Sequence, residues 1–290
     1  MTTASRSLER CVQRLCRVSR EQAIDPWARL SWPDELDPDA WYLSPELCSL
    51  YGTDVWHDLD EERRKRLCFF EAVGFFSVNV HGERTLVEGI ARRLYRKETS
   101  EVSPYLHHFL DEENKHMTLF GGFCTRYARG VYPERKLALP RDFAAGEEDL
   151  LFFARVLVFE EIVDVYNRVM SKDERLHPLA REINWIHHFE EVRHLGFGRA
   201  LVKHLWQRWA PLWDDEVKRR VSEDLAAFLS GTWRELVNPD VYRDAGLPDP
   251  YALRALSLSH EGQRAARRER SRGALRFLEE TGLVTTEVTL

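Results

Sequence analysis

The 290-residue sequence has no apolar run long enough to cross a bilayer. Its most apolar stretch, residues 150–159, contains Arg155 and is shorter than the ~20 residues that a membrane-spanning helix needs. The N-terminus also lacks the uninterrupted apolar segment of a secretory signal peptide. We therefore expect a chain that makes no use of a membrane and lies in the cytoplasm.

The sequence is also poor in cysteine and in clustered positive charge. Its 5 cysteines are odd in number and irregularly spaced, unlike a disulfide framework or a complete cysteine zinc site. The 42 basic residues are mixed with 48 acidic ones, for a net charge of −6, so no surface is predicted to bind a nucleic-acid backbone. No glycine-rich dinucleotide or phosphate-binding loop and no nucleophile-elbow motif is present.

Long segments rich in Leu, Arg, Glu and Ala favour helices over strands. Four of these segments are long enough for the helices of a bundle, and two further helical segments follow them, separated by a loop from Pro239 to Pro250. The four bundle helices are predicted at about 58–97, 103–130, 146–171 and 179–209, and the two further ones at about 214–236 and 250–280.

Two of the predicted bundle helices carry the motif E-x-x-H. The second helix has it at Glu113 and His116, and the fourth at Glu191 and His194, with His187 one turn earlier. Residues three or four apart lie on one helix face, so each pair can bind the same metal ion. A lone E-x-x-H is expected about once by chance in a chain of this length. Two of them, on different helices of one bundle, indicate a di-metal carboxylate site.

The other two bundle helices must each supply a carboxylate to such a site. On the third helix Glu160 and Glu161 compete, and we favour Glu160, which lies in an apolar run where a carboxylate is costly unless it is paired. On the first helix Glu83 and Glu88 compete. Glu83 shares its face with apolar residues, whereas Glu88 shares its face with arginines, so Glu83 is favoured.

Near neighbours of the motif are weaker candidates. In helical projection His188 points about 120° away from the fourth-helix histidine of the motif, and the same argument disfavours Glu190. His81, on the first helix, is not predicted to be a ligand.

This ordered pattern of Glu and His residues resembles the AurF-type non-haem di-iron N-oxygenases, the family of p-aminobenzoate N-oxygenase, over about residues 60–200. The resemblance implies an all-α fold with a ferritin-like four-helix bundle core and extra N- and C-terminal helices. We expect one domain, with an N-terminal helix and arm over 1–57, the metal-binding bundle over 58–210 and C-terminal helices over 211–290. The ligands that the resemblance implies are Glu83, Glu113, His116, Glu160, His187, Glu191 and His194.

The resemblance also implies the chemistry. Two iron ions would use O2 as co-substrate to oxidise an amine nitrogen to a hydroxylamine, and onward to a nitroso or nitro group, in a biosynthetic pathway. The substrate is expected to be an arylamine or an amino-acid-derived amine, free or bound to a carrier protein, with electrons from an external donor and a homodimeric enzyme. The alternatives are a di-iron C–H hydroxylase or desaturase, and a ferroxidase-type iron-binding bundle.

Overall fold

The computed structural model describes residues 3–134 and 141–290, and within these ranges all regular structure is helical. The one β feature there is an isolated bridge between Trp41 and Leu176. Short 3-10 helices lie at Pro45–Leu47 and Ala210–Leu212. The α-helices of the described residues are α1 Thr3–Glu21, α2 Pro26–Arg29, α3 Asp54–Asp58, α4 Glu61–Ala91, α5 Ser103–Tyr127, α6 Glu147–Met170, α7 Pro178–Trp209, α8 Asp215–Leu236, α9 Pro239–Asp244, α10 Pro250–Ser259, α11 Glu261–Arg270 and α12 Arg272–Thr281.

Helices α4, α5, α6 and α7 form the four-helix core. The main packing pairs are α4 with α5 and α6 with α7, while α4 also contacts α6 and α5 also contacts α7. Helices α5 and α6 are therefore diagonal neighbours, joined by the long connection 128–146, whereas the other two connections are shorter. One long crossover is the mark of ferritin-like connectivity, so the predicted all-α, ferritin-like bundle with extra terminal helices is confirmed.

The starts of the bundle helices follow local sequence signals. Asp60 caps α4 by accepting a hydrogen bond from the Arg63 backbone N–H at 2.8 Å. The predicted start at Asp58 is two residues early, because Asp58 ends the short α3. Proline at the first turn, Pro104 in α5 and Pro178 in α7, suits a position that needs no backbone donor.

Helix α4 runs unbroken through Gly74, Gly82 and Gly89. A Cβ atom on Gly82 would overlap the ring of Phe159, and one on Gly89 would overlap the ring of Phe152. Both rings belong to α6. The two glycines therefore allow α6 to pack closely against α4, which brings the carboxylates of these helices together.

The remaining helices cover the bundle from outside. Helix α1 packs on α5 and α7, α8 and α12 pack on α6, and α9 packs on α4. The loop predicted between Pro239 and Pro250 contains α9, and the single helix predicted over 250–280 is instead three helices, α10 to α12. No helix of the described residues combines the length and the apolar character needed to span a membrane.

A polar network fixes the arm that precedes α3 to the bundle. The Glu71 carboxylate on α4 accepts hydrogen bonds from the Ser49 backbone N–H at 3.2 Å and from the Ser49 hydroxyl. That hydroxyl lies 2.7 Å from the Tyr242 hydroxyl of α9. Burial raises the pKa of Glu71 to about 7, against the lowering effect of the Ser49 hydrogen bonds.

Candidate metal centre

The structure brings all seven predicted ligand residues together inside the bundle. None exposes more than 2% of its surface, and each of the four core helices contributes at least one. Their ligand atoms form overlapping groups in which all atoms lie within 4.8 Å of one another. These groups are Glu113, His116, Glu191 and His194; Glu83, His116 and His187; and Glu160, His187 and Glu191.

The two E-x-x-H motifs face each other across the α5–α7 interface. In α5, Nδ1 of His116 lies 2.9 Å from Oε2 of Glu113. In α7, Nδ1 of His194 lies 3.1 Å from Oε2 of Glu191. The same Nδ1 of His194 lies 2.8 Å from Oε1 of Glu113, so the two motifs share one space.

His187 enters this space with its other ring nitrogen. Its Nε2 lies 3.2 Å from Oε1 of Glu83 and 3.8 Å from Oε2 of Glu191. Its Nδ1 lies 2.6 Å from the side-chain amide of Asn167. The contacting atom is the amide nitrogen Nδ2 of Asn167. A 180° rotation of this amide, which exchanges its nitrogen and oxygen, would let the oxygen accept a hydrogen bond from Nδ1–H and leave Nε2 available to a metal ion.

Burial and mutual repulsion dominate the electrostatics of the carboxylates. Burial, reinforced by neighbouring carboxylates, raises the pKa of Glu83 and of Glu160 well above the usual range. Burial raises the pKa of Glu191 to about 7. Burial also opposes ionisation of Glu113, but His194 and the other surrounding groups outweigh it and hold the pKa of Glu113 well below its usual value. Bound cations would relieve this repulsion.

Several ligand oxygens have no hydrogen-bond partner in the described structure, although they are fully buried. They are both carboxylate oxygens of Glu160, Oε2 of Glu83 and Oε1 of Glu191. Buried polar atoms without a partner are costly and call for an explanation. A set of carboxylate oxygens and imidazole nitrogens with free lone pairs suits iron and similar divalent ions. The residues present therefore fit a metal centre.

Buried aromatic side chains pack against the histidines of the centre. The ring of Phe109 stacks on His194 with centroids 4.0 Å apart. The ring of Phe120 lies 5.0 Å from His187 and stacks on Phe76 at 5.1 Å. All three phenylalanines are buried. In such a dry site the electrostatic effect of the charged groups is stronger than it would be in water.

Comparison with known proteins identifies the family to which the chain belongs. The family model described as P-aminobenzoate N-oxygenase AurF matches residues 5–282. The chain belongs to the AurF family. This is a family of oxygenases, which supports an enzyme with oxidoreductase activity, and the buried Glu and His cluster described above could bind the metal that such chemistry requires.

Curated relatives of this AurF family member come from mycobacteria. They include Uncharacterized protein Mb0909 of Mycobacterium bovis and Uncharacterized protein Rv0885 of Mycobacterium tuberculosis. Each is 25% identical to the chain over 200 residues, which cover 65% of the chain and 58% of the relative. The chain thus spans less than two thirds of the length of these relatives.

Three of the alternatives that the sequence analysis disfavours, Glu88, Glu161 and His188, lie outside the centre. Glu88 is exposed and pairs with Arg92 of the next turn at 3.1 Å. The Glu161 carboxylate points away from the centre, where it accepts a 2.7 Å hydrogen bond from Nε of Arg199. His188 pairs with an aspartate of α6 and is partly exposed.

Some residues of the centre were not predicted. Glu112 and Glu190 contact the imidazoles of the E-x-x-H motifs, and Asn167 contacts the third histidine. A signal for two of them exists in the sequence, because an acidic residue directly precedes the glutamate of each E-x-x-H. Asn167 has a weaker signal, since it lies two turns after Glu160 on the same face of α6.

Proposed function

We propose that the chain is a non-haem di-iron N-oxygenase, which uses O2 to oxidise the nitrogen of a small amine in a biosynthetic pathway. The substrate class we propose is an arylamine or an amino-acid-derived amine, free or on a carrier protein. The observation that carries the proposal is the enclosure of four glutamates and three histidines in a chain that belongs to the AurF family. We assign the ligand roles to Glu83, Glu113, His116, Glu160, His187, Glu191 and His194.

The proposed ligands would hold two ions with two kinds of donor atom, carboxylate oxygens and imidazole nitrogens. Two irons bound among them would supply the redox chemistry that activates O2. Carboxylates from all four core helices supply oxygen donors and negative charge, while Nδ1 of His116, Nδ1 of His194 and Nε2 of His187 supply neutral nitrogen donors. With metal bound, His116 and His194 would keep their remaining proton on Nε2, which faces a carboxylate outside the proposed ligand set.

The balance of the reaction defines what the chain must receive from outside. Conversion of R–NH2 and O2 to R–NHOH and H2O consumes two electrons and two protons. One oxygen atom forms the new N–O bond and the other leaves as water. The sequence has no motif for a flavin or nicotinamide, so we propose an external electron donor as a partner.

Loading with iron tests the proposal most directly. The chain is prepared without metal, supplied with Fe²⁺ under anaerobic conditions, and its retained iron is measured. It is then exposed to 18O2 and a chemical reductant with a panel of arylamines and amino acids, and the products are identified by mass. We expect about two irons per chain and 18O attached to nitrogen.

Matched variants separate the centre from the rest of α6. Glu160→Ala should lose iron and product, while Glu161→Gln, which alters the adjacent carboxylate, should retain both. A product that carries 18O only on carbon would show that the reaction is C–H hydroxylation and not N-oxygenation. Turnover of Fe²⁺ with no organic product would indicate a ferroxidase, and failure to retain iron would refute the whole proposal.

A further inference from the structure

Two buried carboxylates beside the centre contact the histidines crosswise. Oε2 of Glu112, on α5, lies 2.7 Å from Nε2 of His194 on α7. Oε2 of Glu190, on α7, lies 3.1 Å from Nε2 of His116 on α5. Each carboxylate directly precedes a proposed ligand glutamate of its own helix, yet it contacts the imidazole of the opposite helix. Both are almost completely buried.

One arginine connects the two carboxylates. Nη2 of Arg193 lies 2.8 Å from Oε1 of Glu112 and 3.5 Å from Oε1 of Glu190. Arg193 exposes 5% of its surface. Two carboxylates buried without a cation would be strongly unfavourable, and the guanidinium supplies a charge that both can share.

Carboxylates lie beside both ring nitrogens of His116 and of His194. A metal ion at Nδ1 would take the place of the proton there, so the remaining proton of the ring would lie on Nε2, where the second carboxylate accepts its hydrogen bond. In both E-x-x-H motifs Nδ1 is the nitrogen that faces the proposed ligand glutamates. A carboxylate acceptor also makes the imidazole a stronger donor to a metal ion. His187 differs, because its outer nitrogen contacts the neutral amide of Asn167.

We infer that Glu112, Glu190 and Arg193 act as one positioning unit, which holds His116 and His194 in the tautomer and orientation for metal binding. Because the contacts cross, each E-x-x-H helix orients the histidine of the other. The three residues do not bind metal themselves. The inference rests on the metal-binding part of the proposed function, and it does not depend on which substrate is oxidised.

Cobalt provides a probe that is independent of turnover. The metal-free chain is loaded with Co²⁺, and the solvent-exchangeable N–H protons of ligating imidazoles are recorded as strongly shifted NMR signals. Their loss in D2O identifies them. Co²⁺ affinity is measured by competition with a chelator, and the unfolding temperature of each metal-free variant is recorded to establish that it folds.

Single-residue variants test whether each E-x-x-H helix orients the histidine of the other helix. Glu190→Gln and Glu112→Gln keep the shape of the side chain, and each should displace one exchangeable signal, a different one in each case. Arg193→Met should displace both. Each change should weaken Co²⁺ binding by about 10- to 100-fold. Glu161→Gln is the matched control, since Glu161 is also a buried carboxylate beside a proposed ligand, and it should change neither signals nor affinity.

The outcomes are distinct. If the glutamine variants fold, bind Co²⁺ as tightly as the parent and leave the exchangeable signals in place, the positioning role is wrong and the network merely joins α5 to α7. If both variants displace the same signal, the crossing is wrong. If Arg193→Met does not fold, the double variant Glu112→Gln/Glu190→Gln tests the same point, and it should displace both signals. A parent chain that binds no Co²⁺ would count against the proposed function itself.

Discussion

At the scale of single residues, the buried carboxylates of the centre lower the stability of the metal-free chain. Glu160 has two buried oxygens without a hydrogen-bond partner, an arrangement that costs free energy in the metal-free chain. Proteins commonly accept such costs at functional sites. The residue is therefore expected to behave differently with and without metal.

Replacement of Glu160 by Gln separates these two effects. Without metal, Glu160→Gln should unfold at the same temperature as the parent or higher, because a buried carboxylate among other carboxylates is removed. With Fe²⁺ present, only the parent should show the full rise in unfolding temperature. Thermal unfolding by circular dichroism, with and without Fe²⁺ under anaerobic conditions, measures both. A variant that loses stability without metal yet binds iron normally would contradict this account.

Glu71 should make the stability of the chain depend on pH. Its pKa is about 7 in the folded chain, against 4.5 for an ordinary glutamate. The folded state therefore holds a proton that the unfolded state releases, so the contribution is fully present below pH 4.5 and is lost as pH rises through 7. The loss amounts to as much as about 3 kcal/mol.

Glu71→Gln removes this titration but keeps an oxygen for Ser49. The free energy of unfolding of the variant, minus that of the parent, should increase between about pH 4.5 and pH 7. Denaturant unfolding at several pH values measures the difference. Glu88→Gln, at an exposed position of the same helix, should show little trend, and an equal trend in both variants would exclude Glu71 as its source.

Single residues of the centre could be predicted where helical register distinguished neighbours. Glu160 was preferred to Glu161, and Glu83 to Glu88, on the face that each would occupy, and the structure places the preferred residue inside in both cases. The roles of Glu112 and Glu190 could not be predicted in the same way. Their contacts run between α5 and α7, and a single sequence does not show which helices are neighbours.

At the scale of the helices, α4 and α6 depend on two glycines for their close approach. Gly→Ala within a helix normally stabilises by up to about 1 kcal/mol. At Gly82, however, the added methyl group would overlap Phe159, a buried side chain of the core, and overpacking typically costs about 1–3 kcal/mol. At Gly82 the cost of overpacking should therefore exceed the gain in helix propensity.

Gly82→Ala should accordingly lower the free energy of unfolding by about 1 kcal/mol or more, and it should reduce iron retention because α4 carries Glu83. Gly196→Ala is the control. Its Cβ on α7 would meet no atom within 4 Å, so it should be neutral or stabilising. Denaturant unfolding of both variants tests the comparison, and stabilisation by Gly82→Ala would show that Phe159 moves at little cost.

The C-terminal helices show why helix ends were harder to predict than helices. The segment predicted as one helix over 250–280 breaks at His260 and again at Ser271, and neither residue is a glycine or a proline. Distant contacts stabilise both breaks. Arg267 donates to the carbonyls of Ser257 and Leu258 near the end of α10. The hydroxyl of Ser271 accepts a 2.7 Å hydrogen bond from the indole of Trp233.

At the scale of the whole molecule, the bundle consists of two helical hairpins. The α4–α5 hairpin supplies Glu83, Glu113 and His116, and the α6–α7 hairpin supplies the other four proposed ligands. Composition and periodicity were enough to predict the four core helices, and the family resemblance implied their ferritin-like, all-α arrangement. The placement of α1 and of α8 to α12 around the core depends on tertiary packing, which composition and spacing do not encode locally.

Metal binding should stabilise the whole chain, because the proposed ligands come from both hairpins. A ligand bound only by the folded state adds about 2.7 kcal/mol at 100 times its dissociation constant. Anaerobic addition of Fe²⁺ should raise the unfolding temperature, and a chelator should reverse the rise. Glu191→Ala should abolish most of it. If Fe²⁺ does not change the unfolding temperature of the parent, the proposal that both hairpins contribute ligands to one metal site is wrong.

The division of the proposed ligands between two hairpins would have a protective consequence if the chain binds two irons as proposed. A newly made or partly opened chain, in which the hairpins have not docked, would hold only part of the donor set. Oxygen activation would then begin only once both hairpins enclose the centre, which would limit stray oxidation of the polypeptide itself.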